Sequence, residues 1–301
     1  MGLPDFLIVG AAKAGTTSLY HYVRRHPEIY MSPVKEPRYF ALAGHPLDFT
    51  GPGDGRLFAT TATTLEDYRR LFAGRRNETV AGEASVLYLP DAGAAAAIAE
   101  AIPGARIVAV LRNPAERAYS GYLYHARDGR EPLSFEEALA AEDDRRAAGW
   151  FTAWQYRGQG FYHRHLSRYY ERFPTEQIRV FLYEDLDRDP HGFLRELFRF
   201  LGVDDAFQPD VSVRWNPSGR PRSRRFQRVL TGHHPVKEAV KRVIPPEWGH
   251  RVIDRIQVAN LERPPLSPET RADLVAGYED DIRRLEQLIG RDLSGWLDVD
   301  R

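Results

Sequence analysis

The 301-residue chain has no cysteine, which excludes disulfides, thiolate metal sites and a cysteine nucleophile. It has no excess of either charge: 42 Lys and Arg balance 42 Asp and Glu. A global basic field for general nucleic-acid binding is therefore missing, and any anion site must be local. No apolar stretch approaches the length of a membrane span. The N-terminus lacks a basic region and its apolar run is broken by Asp5 and Lys13, so no signal peptide is expected. The expectation is a soluble, cytoplasmic protein, and the Ala-rich, Arg-rich usage suits a bacterial source. Internal repeats and low-complexity tails are missing. The histidines, including His163, His165 and the pair His233 and His234, show no metal-ligand pattern with nearby carboxylates.

What is present is enough chain for one large α/β domain or two small ones. The reading taken is a single domain over residues 1–301. Its motifs lie in about 5–230, and a helical extension over 231–301 packs on them.

The stretch Asp5-Phe-Leu-Ile-Val-Gly10-Ala-Ala-Lys13-Ala-Gly15-Thr16-Thr17-Ser18-Leu19 organises that chain. A short apolar run is followed by small residues and two glycines, then by hydroxyl residues leading into Leu19, Tyr22 and Val23 at helical spacing. This reads as strand, tight loop and helix. Such a loop lets the backbone approach a ligand, and the N-terminus of the following helix favours phosphate or sulfate. The interval from Gly10 to Gly15 fits a nucleotide phosphate loop, but Thr16 stands where a triphosphatase has lysine; the lysine sits inside the loop at Lys13.

Further along, residues 26–30 read as a turn into a short extended segment, residues 79–82, 106–111 and 178–183 read as strands, and the unbroken apolar run 107–111 suits a strand buried on both faces of a parallel sheet. Helices are expected from the Thr64 N-cap through Phe72, over 91–102, after Asn113 and Pro114, after Ser134 with Glu137 as a capping box, over 158–173, 193–201, about 245–259 and 268–289. Residues 43–56, rich in Gly, Pro and Asp, read as a surface loop. The alternation implies an α/β fold, a phosphate-loop-like parallel sheet flanked by helices on both faces with a helical C-terminal part. Ligands bind outside the carboxyl ends of such strands, where the motifs around Lys13, Glu83 and Arg112 fall.

The loop "GAAKAGTTSL" resembles the 5′-phosphosulfate loop of sulfotransferases that use 3′-phosphoadenosine 5′-phosphosulfate (PAPS), and "LRNPAERAYSGY" resembles their 3′-phosphate motif. The resemblance covers about residues 5–230 and leans toward the heparan sulfate and carbohydrate branch. It implies that Lys13, Ala14, Gly15, Thr16, Thr17 and Ser18 hold the 5′ end, and that Arg112 and Ser120 hold the 3′-phosphate. In "KEPRYF" it implies Glu36 as the general base beside Lys35, a role that suits a carboxylate accepting a proton from a poorly nucleophilic alcohol. The other reading of Glu36 is a surface ion pair with Lys35 or Arg38.

"GEASVLYL" sits where the family has a segment resembling "EKTPSYF", which places Glu83 and Ser85 at the acceptor site. Ala84 and Val86 replace the family's lysine and proline there. "NPSGRPRSRRF" matches a basic loop that covers the nucleotide, implicating Arg220, Arg222 and Arg224; a solvated Arg-rich loop is the equal alternative. His125 lies away from the segment where cytosolic sulfotransferases carry a histidine base and reads as structural. The aromatic residues Trp150, Phe151, Trp154, Tyr156 and Tyr162 are candidates for an acceptor cleft or simply for the core.

The expected reaction moves a sulfuryl group from PAPS to a hydroxyl, or an amine, of a carbohydrate or natural-product acceptor, leaving 3′,5′-adenosine bisphosphate (PAP), without a metal. The rivals are a nucleotide kinase or triphosphatase and a nucleotide-binding module without catalysis. Acceptor identity and oligomeric state are not legible.

Overall fold

The computed structural model describes residues 2–213, 220–221, 261–262 and 264–299. Arg222, Arg224 and the helix expected over 245–259 lie outside the described residues, and Arg220 enters only as backbone paired with Glu262.

Five strands form a parallel sheet: β1 (Phe6–Gly10), β2 (Ile29–Met31), β3 (Val80–Ala84), β4 (Arg106–Leu111) and β5 (Ile178–Leu182), in the order β2-β3-β1-β4-β5. β1 and the 107–111 run of β4 are buried throughout, as their continuous apolar sequence requires. Burial of each Val, Leu, Ile and Phe side chain in these strands contributes roughly 1.5–3 kcal/mol. From β1 the chain builds outward to β3 and β2 on one side and to β4 and β5 on the other. The loop after β1 therefore stands at the switch point, where a crevice opens at the carboxyl ends.

The helices are α1 (Thr16–Val23), α2 (Tyr39–Leu42), α3 (Leu65–Arg70), α4 (Ala94–Ala101), α5 (Pro114–Arg127), α6 (Phe135–Ala140), α7 (Glu142–Ala147), α8 (Tyr162–Tyr170), α9 (Tyr183–Arg188), α10 (Pro190–Leu201) and α11 (Pro268–Ile289). Their starts follow the sequence signals. Thr64 accepts from Asp67 N, Asn113 accepts from Ala115 N and Glu116 N with Pro114 in the first turn, and Ser134 forms the capping box with Glu137. Among the described residues no helix is long and apolar enough to cross a membrane.

Two expectations change. The helix expected over 158–173 divides into a 3-10 turn at Gly158–Gly160 and α8, because Phe161 leaves helical geometry with ψ 73°. A Cβ on Gly160 would meet Tyr278 Oη of α11 at 2.6 Å, so this break is where α11 docks. Residues 43–56 are also more than a surface loop. A 3-10 turn begins at Asp54, whose fully buried carboxylate accepts from Phe151 N (3.0 Å) and Trp154 Nε1 (2.9 Å). The polar composition of that segment hid a buried carboxylate with full hydrogen bonding. α11 is fastened by Tyr278 Oη donating to Arg157 O (2.9 Å) and by Asp281 accepting from His163 N (2.9 Å) and Arg164 N (3.1 Å).

Candidate active site

β1 leaves the sheet at Gly10, where a Cβ would lie 2.6 Å from Leu89 Cβ; only glycine passes beneath that side chain. α1 then starts from Gly15 at φ 82°, with no acidic residue in its first turn and no side-chain cap. That combination leaves a helix N-terminus suited to an anion. Between the glycines, Lys13 takes φ 67° and puts Nζ 4.4 Å from the centre of the Tyr124 ring. Burial, then the charges of Arg127 and Arg112, pull the Lys13 ammonium down to about 7.

Arg112 leaves β4 beside this loop. It donates from Nη1 to Lys13 O (3.3 Å), stands over the Tyr183 ring at 4.9 Å and reaches Glu116 Oε2 at 3.4 Å. Glu116 also pairs with Arg271 of α11, so the cleft's arginine is linked to the C-terminal helix.

The segment Glu36–Arg38 is strapped to the exit of β3 at three points, two of them made by Glu36. The Glu36 N–H donates to Ala84 O (2.9 Å), Glu36 Oε2 accepts from Val86 N (3.1 Å), and Arg38 N donates to Ser85 Oγ (3.0 Å). Lys35 Nζ meets Glu36 Oε1 at 2.5 Å. These contacts hold Glu36 at φ 66° and Arg38 at φ 56°. Lys13, Glu36 and Arg38 are the non-glycine residues with positive φ among the described residues, and all three line the same cleft. Backbone strain of about 1–3 kcal/mol at each is held only where surrounding contacts over-determine it, a pattern that clusters at functional sites.

That cleft has a volume of about 680 Å³, within the range of small-molecule sites. It brings together Lys13, Gly15, Thr16, Thr17, Ser18, Lys35, Glu36 and Arg112. Ala14, Ser120, Glu83 and Ser85 are fully buried beneath it and are not part of its lining. Ala14 N–H closes a turn onto Ala11 O (3.3 Å). Glu83 accepts from Tyr68 Oη (3.0 Å) and Ser85 Oγ (2.8 Å), and burial pushes its carboxyl up to about 7. Glu83 thus supports the Glu36 loop through Ser85 rather than facing a ligand, a placement that the substitutions at Ala84 and Val86 do not reveal.

The lining also includes residues that the motifs do not single out: Arg38, Tyr124, His125, Tyr183 and Asp187. Arg38 lies inside "KEPRYF", so its signal was present but unassigned, and Tyr183 begins α9 directly after β5. Tyr124 has no sequence signal; only the fold puts it under Lys13. Among the described residues no three His, Asp or Glu side chains gather in a metal-holding group.

The sequence profile of the sulfotransferase family matches residues 4–209. The chain belongs to the sulfotransferase family. A sulfotransferase crystal structure from Alicyclobacillus acidocaldarius is 36% identical, covers 99% of this chain and 100% of its own, and superposes with a TM-score of 0.80. The human bifunctional heparan sulfate N-deacetylase/N-sulfotransferase 3 is 31% identical over 67% of this chain and 22% of its own length. The mouse heparan sulfate glucosamine 3-O-sulfotransferase 3B1 is 28% identical over 67% of this chain and 46% of its own. The chain therefore spans less than half the length of these curated relatives. The profile covers the loop, Glu36 and Arg112, and it favours the sulfotransferase over the kinase reading that Thr16 already opposed.

Proposed function

We propose that the cleft binds PAPS and transfers its sulfuryl group to a hydroxyl of a carbohydrate or natural-product acceptor. The observation that carries this reading is the convergence of Lys13, Arg112 and Glu36 on one cleft at the carboxyl ends of β1, β4 and β2. Lys13 and the first turn of α1 receive the 5′-phosphosulfate, and Arg112 holds the 3′-phosphate. Ser120 would serve that phosphate only from beneath the lining. In the transfer, the acceptor oxygen forms a bond to sulfur as the bond from sulfur to the bridging 5′-phosphate oxygen breaks. Lys13 stabilises the negative charge gathering on that oxygen, and Glu36 takes the acceptor's proton.

The carbohydrate part of the proposal draws on the heparan sulfate relatives. Sulfuryl transfer by this scheme needs no metal, because the group transferred bears less charge than a terminal phosphate and Lys13 with the helix terminus neutralises the departing one. The test is calorimetric titration with 3′,5′-adenosine bisphosphate, beside ATP and AMP, with magnesium and with excess chelator. Tight binding of the bisphosphate in chelator, weakened about tenfold or more in Arg112→Ala, is the expected result. Better binding of ATP with magnesium would overturn both phosphate assignments.

A further inference from the structure

His125 sits at the end of a closed chain of buried hydrogen bonds. Its Nδ1 lies 3.0 Å from Tyr156 Oη, and Tyr156 Oη lies 2.9 Å from Glu131 Oε2. Glu131 in turn receives both arms of Arg145, at 2.7 and 2.9 Å, and Leu133 N at 3.2 Å. Glu131, Arg145 and Tyr156 are all buried.

The proton positions along this chain are forced. A carboxylate gripped by an arginine fork is an acceptor only, so Tyr156 spends its one hydroxyl proton on Glu131. Burial and the Glu131 charge keep that phenol protonated. Tyr156 can then only accept from His125, which puts the imidazole proton on Nδ1 and the free lone pair on Nε2. Burial, then the charges of Arg130, Lys13 and Arg145, lower the His125 imidazole to about 2 and keep it neutral.

Nε2 has no partner among the described residues, yet it is not one of the sealed, unsatisfied polar atoms, and His125 lines the cleft. The ring is also fixed in place: Trp154 packs against it at 4.1 Å, and Trp154 is anchored to buried Asp54. His125 follows Tyr124, the ring under Lys13 Nζ. Phe151, Thr152 and Ala153 line the same wall.

We infer that His125 Nε2 is a fixed hydrogen-bond acceptor beside the reaction centre, which selects acceptor molecules carrying an O–H or N–H next to the group that receives sulfate. The inference rests on the sulfotransferase reading above. It assigns His125 to recognition of the acceptor, while proton removal stays with Glu36. A polyol or amino sugar fits such a site, whereas an alcohol with a purely apolar neighbourhood leaves Nε2 unpaired and is rejected.

The test is nitrogen-correlated NMR of the imidazole ring in the full chain bound to 3′,5′-adenosine bisphosphate, with an unsulfated glucosamine oligosaccharide as probe. The expected spectrum shows a neutral ring with its proton on Nδ1, and Nε2 shifts when the oligosaccharide is added. His125→Phe, which keeps a ring against Trp154, is expected to weaken oligosaccharide binding about tenfold, the loss of one hydrogen bond. Bisphosphate affinity should stay within about twofold, since that variant touches no phosphate contact. Tyr156→Phe lies outside the lining and removes the hydroxyl that holds the proton on Nδ1 and donates to Glu131; it should weaken the oligosaccharide about threefold, part of the same hydrogen bond. A proton on Nε2, an Nε2 signal unmoved by the oligosaccharide, or unchanged affinity in His125→Phe overturns the proposal. Failure of wild-type protein to bind the bisphosphate would instead overturn the sulfotransferase reading.

Discussion

The loops after β1, β2 and β4 present main chain and charge to the cleft, while the wall from α5 and residues 150–156 presents rings held from behind. On the first side, Lys13, Glu36 and Arg38 sit in left-handed backbone, and Lys35, Arg38 and Arg112 reach the lining. On the second, Asp54 and Glu131 are buried acceptors that hold Phe151, Trp154, Tyr156 and, through it, His125. The difference teaches that loops local in sequence deliver main chain and charge to the cleft, whereas its rings are held by hydrogen bonds between residues far apart in the chain.

That contrast makes separable predictions. Lys13→Ala should lower sulfuryl transfer to the glucosamine oligosaccharide about 10³-fold, the upper range for removing one charge-stabilising donor, and Glu36→Gln about 10²-fold. Both should leave thermal stability nearly unchanged, and rates from single-turnover assays check them. A large stability loss in either variant would show that the first wall is a structural unit after all.

Arg145→Ala should do the reverse. It strands Glu131 in a buried site, at a cost of about 3–5 kcal/mol, read as a lowered denaturation midpoint. Bisphosphate affinity of the folded fraction should stay within about twofold, because no phosphate contact is touched. Coupled loss of both would merge the two walls into one.

The smallest effect is in pH. Below about pH 7 Lys13 is charged with or without an anion bound, but above it the free protein loses the proton and must take one up to bind. Bisphosphate affinity should therefore weaken by up to about tenfold per unit above pH 7, measured by calorimetry in buffers of different ionisation enthalpy. The slope should vanish in Lys13→Ala, and persistence there would assign it to another group.

The first wall was legible because its chemistry is local in sequence. Gly10 to Ser18 carries its own loop geometry, and 106–111 declares the doubly buried strand that leads to Arg112. The second wall was legible only in part, as the start of α5 at Asn113 and Pro114 and as aromatic residues at 150–156 open to a cleft or a core reading, because its links are distant. Asp54 to Trp154 and His125 to Tyr156 to Glu131 join residues that share no spacing rule. The reading of His125 as structural accounts for its Nδ1 contact with Tyr156, and the structure also places the residue in the cleft lining. Glu83 and Ser85 were placed at the acceptor site by their motif, yet both are fully buried, since the strand that delivers them points them under the Glu36 loop.

The position of β1 has one more consequence, and it concerns how the molecule comes into being. Phe6 pairs with Gly82 on one side and with Arg106 on the other. Lys13 therefore meets Arg112 only after loop closures that span most of the N-terminal half of the chain, the kind of non-local pairing that slows folding. A chain whose β4 has not yet paired with β1 lacks Arg112 beside the Lys13 loop. If the cleft binds the proposed bisphosphate, that ligand favours the finished state by mass action.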